Sequence, residues 1–128
     1  MGLFQKLFKR DGDDDVEDAP ITLDLEQRRT QLTRLMNALD ALAEQMRSQH
    51  TTDDPGWRGR VNEYNRLAGE AMNLRREPTR EALLDLVFEI RPVFSGTVPE
   101  GFGDLVPLQE ELLAVAEDLR RLLPGEKA

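Results

Sequence analysis

The strongest constraint on the fold is a regular series of apolar residues near the C-terminus. Its members recur at alternating intervals of three and four residues: Leu105, Leu108, Leu112, Val115, Leu119 and Leu122. This spacing places all of them on one face of an α-helix and is typical of the seam along which helices pack. Pro124 and Gly125 follow and are expected to end the helix. The sequence therefore predicts a C-terminal helix that buries one face against other helices.

Two earlier segments carry apolar stripes with helical spacing. The first predicted helix covers residues 23–49. Either Thr22 or Asp24 can cap its start, and Asp24 with Gln27 resembles a capping box. Its stripe consists of Leu25, Leu32, Leu35, Met36, Leu39, Leu42, Ala43 and Met46. The second helix is expected to begin with Asp54 as N-cap and Pro55 in its first turn. Its stripe consists of Trp57, Val61, Tyr64, Ala68, Ala71 and Met72.

A third helix is predicted after Pro78, ending near Arg91. It is apolar around most of its circumference, and its apolar members are Leu83, Leu84, Leu86, Val87, Phe88 and Ile90. We therefore expect it to be the most buried helix. A strand over residues 83–90 is the alternative, but the sequence offers no second strand to pair with it. The fold class predicted is all-α, a small up-down bundle of about four helices.

The first twenty residues differ from the rest in charge. Residues 1–10 have a net charge of +3, residues 11–20 have −6, and the whole chain of 128 residues has −8. The repelling acidic residues predict a flexible linker at 11–20. The predicted organisation is a basic peptide at 1–10, the acidic linker at 11–20, a helical bundle at 21–124 and a tail at 125–128.

Composition argues against several classes of function. The chain contains no cysteine, so it has no thiol nucleophile, disulfide or cysteine–zinc site. No apolar run approaches the roughly 18 residues that a spanning helix needs. The net negative charge disfavours non-specific binding of nucleic acid. The sole histidine, His50, lies near Asp53 and Asp54 without a recognised metal-ligand spacing, and we interpret it as interacting with the last carbonyls of its helix.

No set of side chains converges on a reaction, so we predict no catalytic residue, cofactor, metal or small-molecule substrate. Trp57 is interpreted as an anchor in the core, and Asp104 as the cap of the last helix. Residues 55–80 carry a charge surplus of +3 and residues 104–126 a deficit of −4. We expect these two segments to lie side by side in the bundle, with the alternative that they join two copies of the chain.

The best functional indication lies in the basic peptide. Its apolar residues share one face of a short helix and its basic residues occupy the remainder, which is the pattern of an amphipathic helix lying on an anionic membrane. It resembles short membrane-targeting N-termini of bacterial proteins. The residues predicted to contact a membrane or a partner are Leu3, Phe4, Lys6, Leu7, Phe8, Lys9 and Arg10. The alternatives are docking on the bundle, docking in a partner's groove, or a free tail.

Together these features predict a non-enzymatic helical adaptor of the cytoplasm, attached peripherally to the inner membrane face by residues 1–10. Its expected partners are another protein or a second copy of the chain, with an anionic membrane surface and no nucleic acid. The alternative is a soluble structural or assembly protein whose N-terminal peptide docks into a partner or a second copy.

Overall fold

The computed structural model describes residues 22–50 and 54–127 and is all-helical there, as predicted. The elements in chain order are α1 (Leu25–Gln49), α2 (Pro55–Leu74), α3 (Arg80–Phe88), a 3-10 turn (Gly103–Leu105) and α4 (Val106–Arg120). The prediction of a small helical bundle with four helices is confirmed. No helix of the described part is long and apolar enough to cross a membrane.

The predicted starts of the first two helices are confirmed by their caps. Asp24 Oδ1 accepts a hydrogen bond from the backbone N–H of Gln27 (3.2 Å), whose side-chain amide donates back to Asp24 Oδ2 (2.8 Å). Asp54 accepts from the backbone N–H of Gly56 (3.0 Å), and Pro55 occupies the first turn of α2. These contacts satisfy N–H groups that have no partner within a helix.

The long helix α1 lies at the centre of the bundle and packs against both α2 and α4, while α3 packs against α4 and α2. The main core contains Leu32, Leu35, Leu39, Leu42, Met46, Tyr64, Leu67, Leu83, Leu105, Leu112, Val115 and Leu119. Within the described residues α2 and α4 make no contact. The prediction that their oppositely charged segments lie side by side in the bundle is therefore wrong.

The physical reason is that α1 buries apolar residues toward both neighbours and supplies the charged partners of α4 itself. Arg34 of α1 pairs with Glu111 (3.1 Å) and Asp118 (3.4 Å) of α4. These carboxylates also raise the pKa of Arg34, chiefly through the hydrogen bond to Glu111. Two acidic residues of α4 thus pair with the central helix, and Glu117 pairs with Arg120 and Arg121 of its own segment, without α2.

A buried arginine joins the start of α1 to the segment after α4. The side chain of Arg28 is fully buried, and its Nε lies 2.9 Å from Glu126 Oε2. Its guanidinium also donates to the backbone carbonyls of Leu119 (3.1 Å) and Arg121 (2.6 Å). An uncompensated charge in this position costs several kcal/mol, so the closed network is what makes the burial tolerable.

Glu126 completes this network from the C-terminal tail. Its carboxylate accepts the backbone N–H groups of Asp24 (2.9 Å) and Leu123 (2.8 Å) in addition to the Arg28 guanidinium. Burial acts to raise the pKa of Glu126, but these hydrogen bonds outweigh it and hold the pKa at about 2. A backbone bridge between Thr22 and Lys127 lies beside it. The described chain therefore begins and ends at the same end of the bundle.

Several apolar residues assigned to the stripes lie at the surface. Leu25 and Met72 are exposed because they lie at the first turn of α1 and at the edge of the α2 stripe. Leu122 is exposed because α4 ends at Arg120, before the end of the predicted seam. The expectation that the third helix is the most buried is also wrong, since α3 buries only Leu83 and Leu86.

Candidate interaction surface

The short helix α3 is held in place by its first turn and by two apolar residues. Thr79 caps it by accepting a hydrogen bond from the backbone N–H of Ala82 (3.1 Å), directly after the buried Pro78. Leu83 and Leu86 enter the core. The helix ends at Phe88, three residues earlier than predicted, and the chain then turns toward Pro92, before which helical backbone is disfavoured.

The outer face of α3 presents large apolar side chains to solvent. Phe88 is 83% exposed and Leu84 is 38% exposed. Their positions are four apart in the sequence, so they share one helix face. Glu81 and Asp85 are exposed on the same side. We call Glu81, Leu84, Asp85, Phe88 and Glu89 the α3 surface. A large aromatic ring exposed to water indicates a candidate binding surface, because its burial against a partner is favourable.

A groove of about 410 Å³ runs between α2 and α3 beside the α3 surface. Leu74 of α2 and Leu86 of α3 contribute apolar atoms to its lining. Its acidic lining residues are Glu70, Glu77, Asp85 and Glu89. A groove of this composition favours a ligand that combines apolar side chains with positive charge.

Part of the negative charge of the groove is already paired. Arg66 of α2 forms ion pairs with Glu70 and, at 2.6 Å, with Glu89 across the groove. Glu77, Glu81 and Asp85 form no ion pair with another described residue. Glu77 and Asp85 of the groove, and Glu81 in the first turn of α3, therefore remain available to a basic ligand.

The apolar character continues from α3 toward α4. The two helices run antiparallel, since Arg80 at the start of α3 donates to the carbonyl of Arg120 at the end of α4 (2.9 Å). Gln109, near the start of α4, accepts the backbone N–H of Phe94, which follows α3 (2.9 Å). Leu113 is 37% exposed and shares the α4 face of Gln109 and Arg120. It thus borders the α3 side of the bundle.

The other end of the bundle contains an aromatic cluster around His50. The His50 ring stacks on Phe102 with 4.6 Å between centroids and meets Trp57 edge-on at 6.3 Å. Its Nε2 lies 2.8 Å from Asp104, which also accepts a hydrogen bond from the Gln45 amide (2.7 Å). The Gln45 and His50 hydrogen bonds lower the pKa of Asp104. These contacts fasten the segment before α4 to the end of α1.

This arrangement corrects two interpretations. His50 pairs with the Asp104 carboxylate rather than with the last carbonyls of α1. Asp104 does not cap α4, because its carboxylate turns toward α1; the α4 N-cap is Leu105, which makes no capping hydrogen bond. Trp57, the expected core anchor, packs against the core and donates from Nε1 to the carbonyl of Met46 (3.4 Å). Across the described ranges no group of three potential ligands is placed to hold a metal ion.

The residues predicted to contact a membrane or a partner all belong to residues 1–10, which lie outside the described part of the chain, as does the linker at 11–20. Sequence reasoning missed the α3 surface. The signal was present, because a short helix with large apolar residues on every side cannot bury all of them against two neighbours. It also missed Arg28, which falls between Leu25 and Leu32 in the α1 seam.

Comparison with known proteins adds no identification. No family model matches the sequence, and no curated protein or solved structure matches it either. The class defined by the described residues is an all-α helical-bundle protein with an exposed acidic and apolar helix.

Proposed function

We propose that the protein is a non-enzymatic interaction protein that binds a protein partner through the α3 surface and attaches peripherally to the inner membrane face through residues 1–10. The observation that carries the proposal is the 83% exposure of Phe88 on a helix whose carboxylates Glu81 and Asp85 form no ion pair with another described residue. Full burial of such a side chain against a partner contributes about 1.5–3 kcal/mol. Aromatic residues of this kind dominate the energy of many interfaces.

The amphipathic pattern of residues 1–10 supports the membrane part. Half-burial of Leu3, Phe4, Leu7 and Phe8 contributes roughly 3–6 kcal/mol, and each basic residue near anionic lipid adds about 1 kcal/mol. Ordering nine residues costs about 1 kcal/mol or more apiece. The acidic linker is repelled by the same lipid surface within about 10 Å. Attachment by one copy is therefore weak and sensitive to salt.

Flotation with vesicles that contain anionic lipid tests the membrane part on the full chain. We expect the native chain to float at low salt and much less at high salt. The double variant Phe4→Glu with Phe8→Glu should remain at the bottom of the gradient. The double variant Leu84→Glu with Phe88→Glu is the matched control, since it introduces two glutamates at exposed positions of α3, and it should float like the native chain. Equal flotation of all three chains, or of none, contradicts attachment through residues 1–10.

A soluble assembly protein is the second candidate, and the exposed apolar side chains on α3 and α4 favour it. In this case the partner of the α3 surface is a second copy of the chain. Sedimentation at increasing concentration should then show a dimer that Phe88→Glu dissociates. A mass that stays monomeric at all concentrations excludes this candidate.

A further inference from the structure

We infer that the α3 surface has an occupant within the same chain: residues 2–10 dock along α3 when no membrane is present. This inference rests on the proposed function, since it makes membrane attachment and exposure of the α3 surface two parts of one switch. Docking covers Phe88 and Leu84 with Leu3, Phe4, Leu7 and Phe8. Vesicle binding withdraws the peptide and opens the α3 surface to its partner.

The first argument is the match of charge and apolar surface. Residues 77–89 have a net charge of −3 and residues 1–10 a net charge of +3. Both segments combine this charge with large apolar side chains, and the carboxylates of Glu77, Glu81 and Asp85 are unpaired among the described residues. An amphipathic helix in an apolar groove with complementary charge is a common mode of peptide recognition.

The second argument is the position at which the described chain begins. Leu23 and Leu25 line one cavity of about 460 Å³ together with Thr79, Arg80 and Glu81 at the start of α3. A chain that leaves the bundle at residue 22 therefore starts beside the first turn of α3. The nine residues of α3 span roughly 13 Å, and so do residues 2–10 if helical. The eleven residues 11–21 reach at most about 40 Å, which is ample for the peptide to lie along α3.

The third argument concerns the acidic linker. At this end of the bundle Arg75 Nε and Arg80 Nη1 are buried and have no hydrogen-bond partner among the described residues. Buried N–H groups of arginine are normally satisfied, above all by carboxylates. The six acidic residues of 11–20 precede residue 22 directly. The tail is acidic near the bundle and basic farther away, and this order complements the charge around α3, where residues 75–81 have a net charge of +1 and residues 82–89 a net charge of −2.

A single spin label tests the inference in the full chain, because the native sequence contains no cysteine. The label is attached at Gln5→Cys, and loss of amide signal is measured by NMR in solution without lipid. We expect signal loss over residues 80–89 and none at Asp40 and Glu44, which belong to α1, a helix that does not contact α3. Adding vesicles of anionic lipid should restore the α3 signals.

Two variants with the same change in net charge test whether the basic residues of the peptide cause the α3 signal loss. Lys9→Glu and Arg58→Glu change the net charge equally, and Arg58 is an exposed residue of α2 outside the groove. Lys9→Glu should restore most of the α3 signals, whereas Arg58→Glu should leave the signal loss unchanged. Equal effects of both variants would show a non-specific charge effect and overturn the inference.

An experiment with two differently labelled chains distinguishes docking within one chain from docking between two copies. If a spin-labelled chain causes the α3 signal loss only in a second, isotope-labelled chain, the occupant is another copy and the inference is wrong. Absence of any localised signal loss also overturns the inference.

Flotation is an independent measurement. Vesicle binding without α3 signal loss refutes the docking but leaves the proposed function standing. Signal loss without vesicle binding supports the docking and refutes the membrane attachment. Signal loss that persists in the vesicle-bound chain refutes the switch.

Discussion

Two residues of this small bundle lie in environments that do not match their polarity. Arg28 is charged and fully buried, whereas Phe88 is apolar and 83% exposed. Around Arg28 the carboxylate of Glu126 and three backbone carbonyls accept its N–H groups. On the helix face of Phe88, Asp85 forms no ion pair with another described residue, and Glu89, which follows Phe88, pairs with Arg66. The first environment is complete within the chain, and the second is open.

The comparison separates stability from binding. Breaking a closed buried network leaves a charge without compensation. Substitutions of its members should therefore cause the largest decreases in the free energy of unfolding. An aromatic residue that the bundle leaves exposed contributes little to the stability of the bundle itself, because the bundle does not bury its ring. Burial of its ring by a ligand would stabilise the complex. Substitutions in the two regions should therefore affect different measurements.

The largest effect is expected for Glu126→Gln. The change removes the negative charge from the buried Arg28 while keeping the size of the side chain, and it should lower the free energy of unfolding by about 3–5 kcal/mol. Urea denaturation followed by circular dichroism measures this. Glu111→Gln is the control, since it removes a carboxylate from the half-exposed Arg34 pair, where an ion pair contributes about 0–1 kcal/mol. Similar losses in both variants would contradict the special role of the buried pair.

The pH dependence of stability should report the same carboxylate. The folded-state pKa of Glu126 is about 2, below the ordinary value of 4.5, so its contribution is fully present above about pH 5. That contribution is lost as the pH falls from about 5 toward 2, and it amounts to about 3 kcal/mol. Denaturation at several pH values measures the slope. Glu126→Gln should flatten the curve in this window, and an unchanged slope would show that other carboxylates cause it.

How much of this was predictable differs between the helices. α1 and α4 alternate apolar and polar faces, so spacing alone indicated both the helices and most of their buried residues. Spacing cannot assign a buried side to α3, because its residues are apolar on nearly every face. The position of Arg28 in the α1 seam was visible, but its partner Glu126 lies 98 residues away. Contacts between such distant positions follow from the packing of helices, which the sequence pattern does not specify.

An intermediate effect is expected for Tyr64→Phe, which tests how α2 holds the segment that follows α3. The buried Tyr64 hydroxyl donates to the backbone carbonyl of Arg91 (2.6 Å), and burial raises the pKa of Tyr64. Removing the hydroxyl loses this hydrogen bond and should cost about 1 kcal/mol. Amide hydrogen exchange should rise in α3 and not in the first turns of α1. Unchanged exchange in α3 would mean that its position does not depend on this contact.

The smallest effect on stability is expected at Phe88 itself. In the Lys9→Glu chain, where residues 2–10 are not expected to dock and the ring lies in water, Phe88→Ala should change the free energy of unfolding by no more than about 0.5 kcal/mol. Leu86→Ala on the same helix is the control, and it should cost about 2–5 kcal/mol because Leu86 is buried. In the spin-label experiment Phe88→Ala should nevertheless restore α3 signals that the native chain loses. If Phe88→Ala destabilises the fold as much as Leu86→Ala, the ring is part of the core and α3 has no open surface. If it changes neither stability nor signal loss, Phe88 is not the contact that holds residues 2–10.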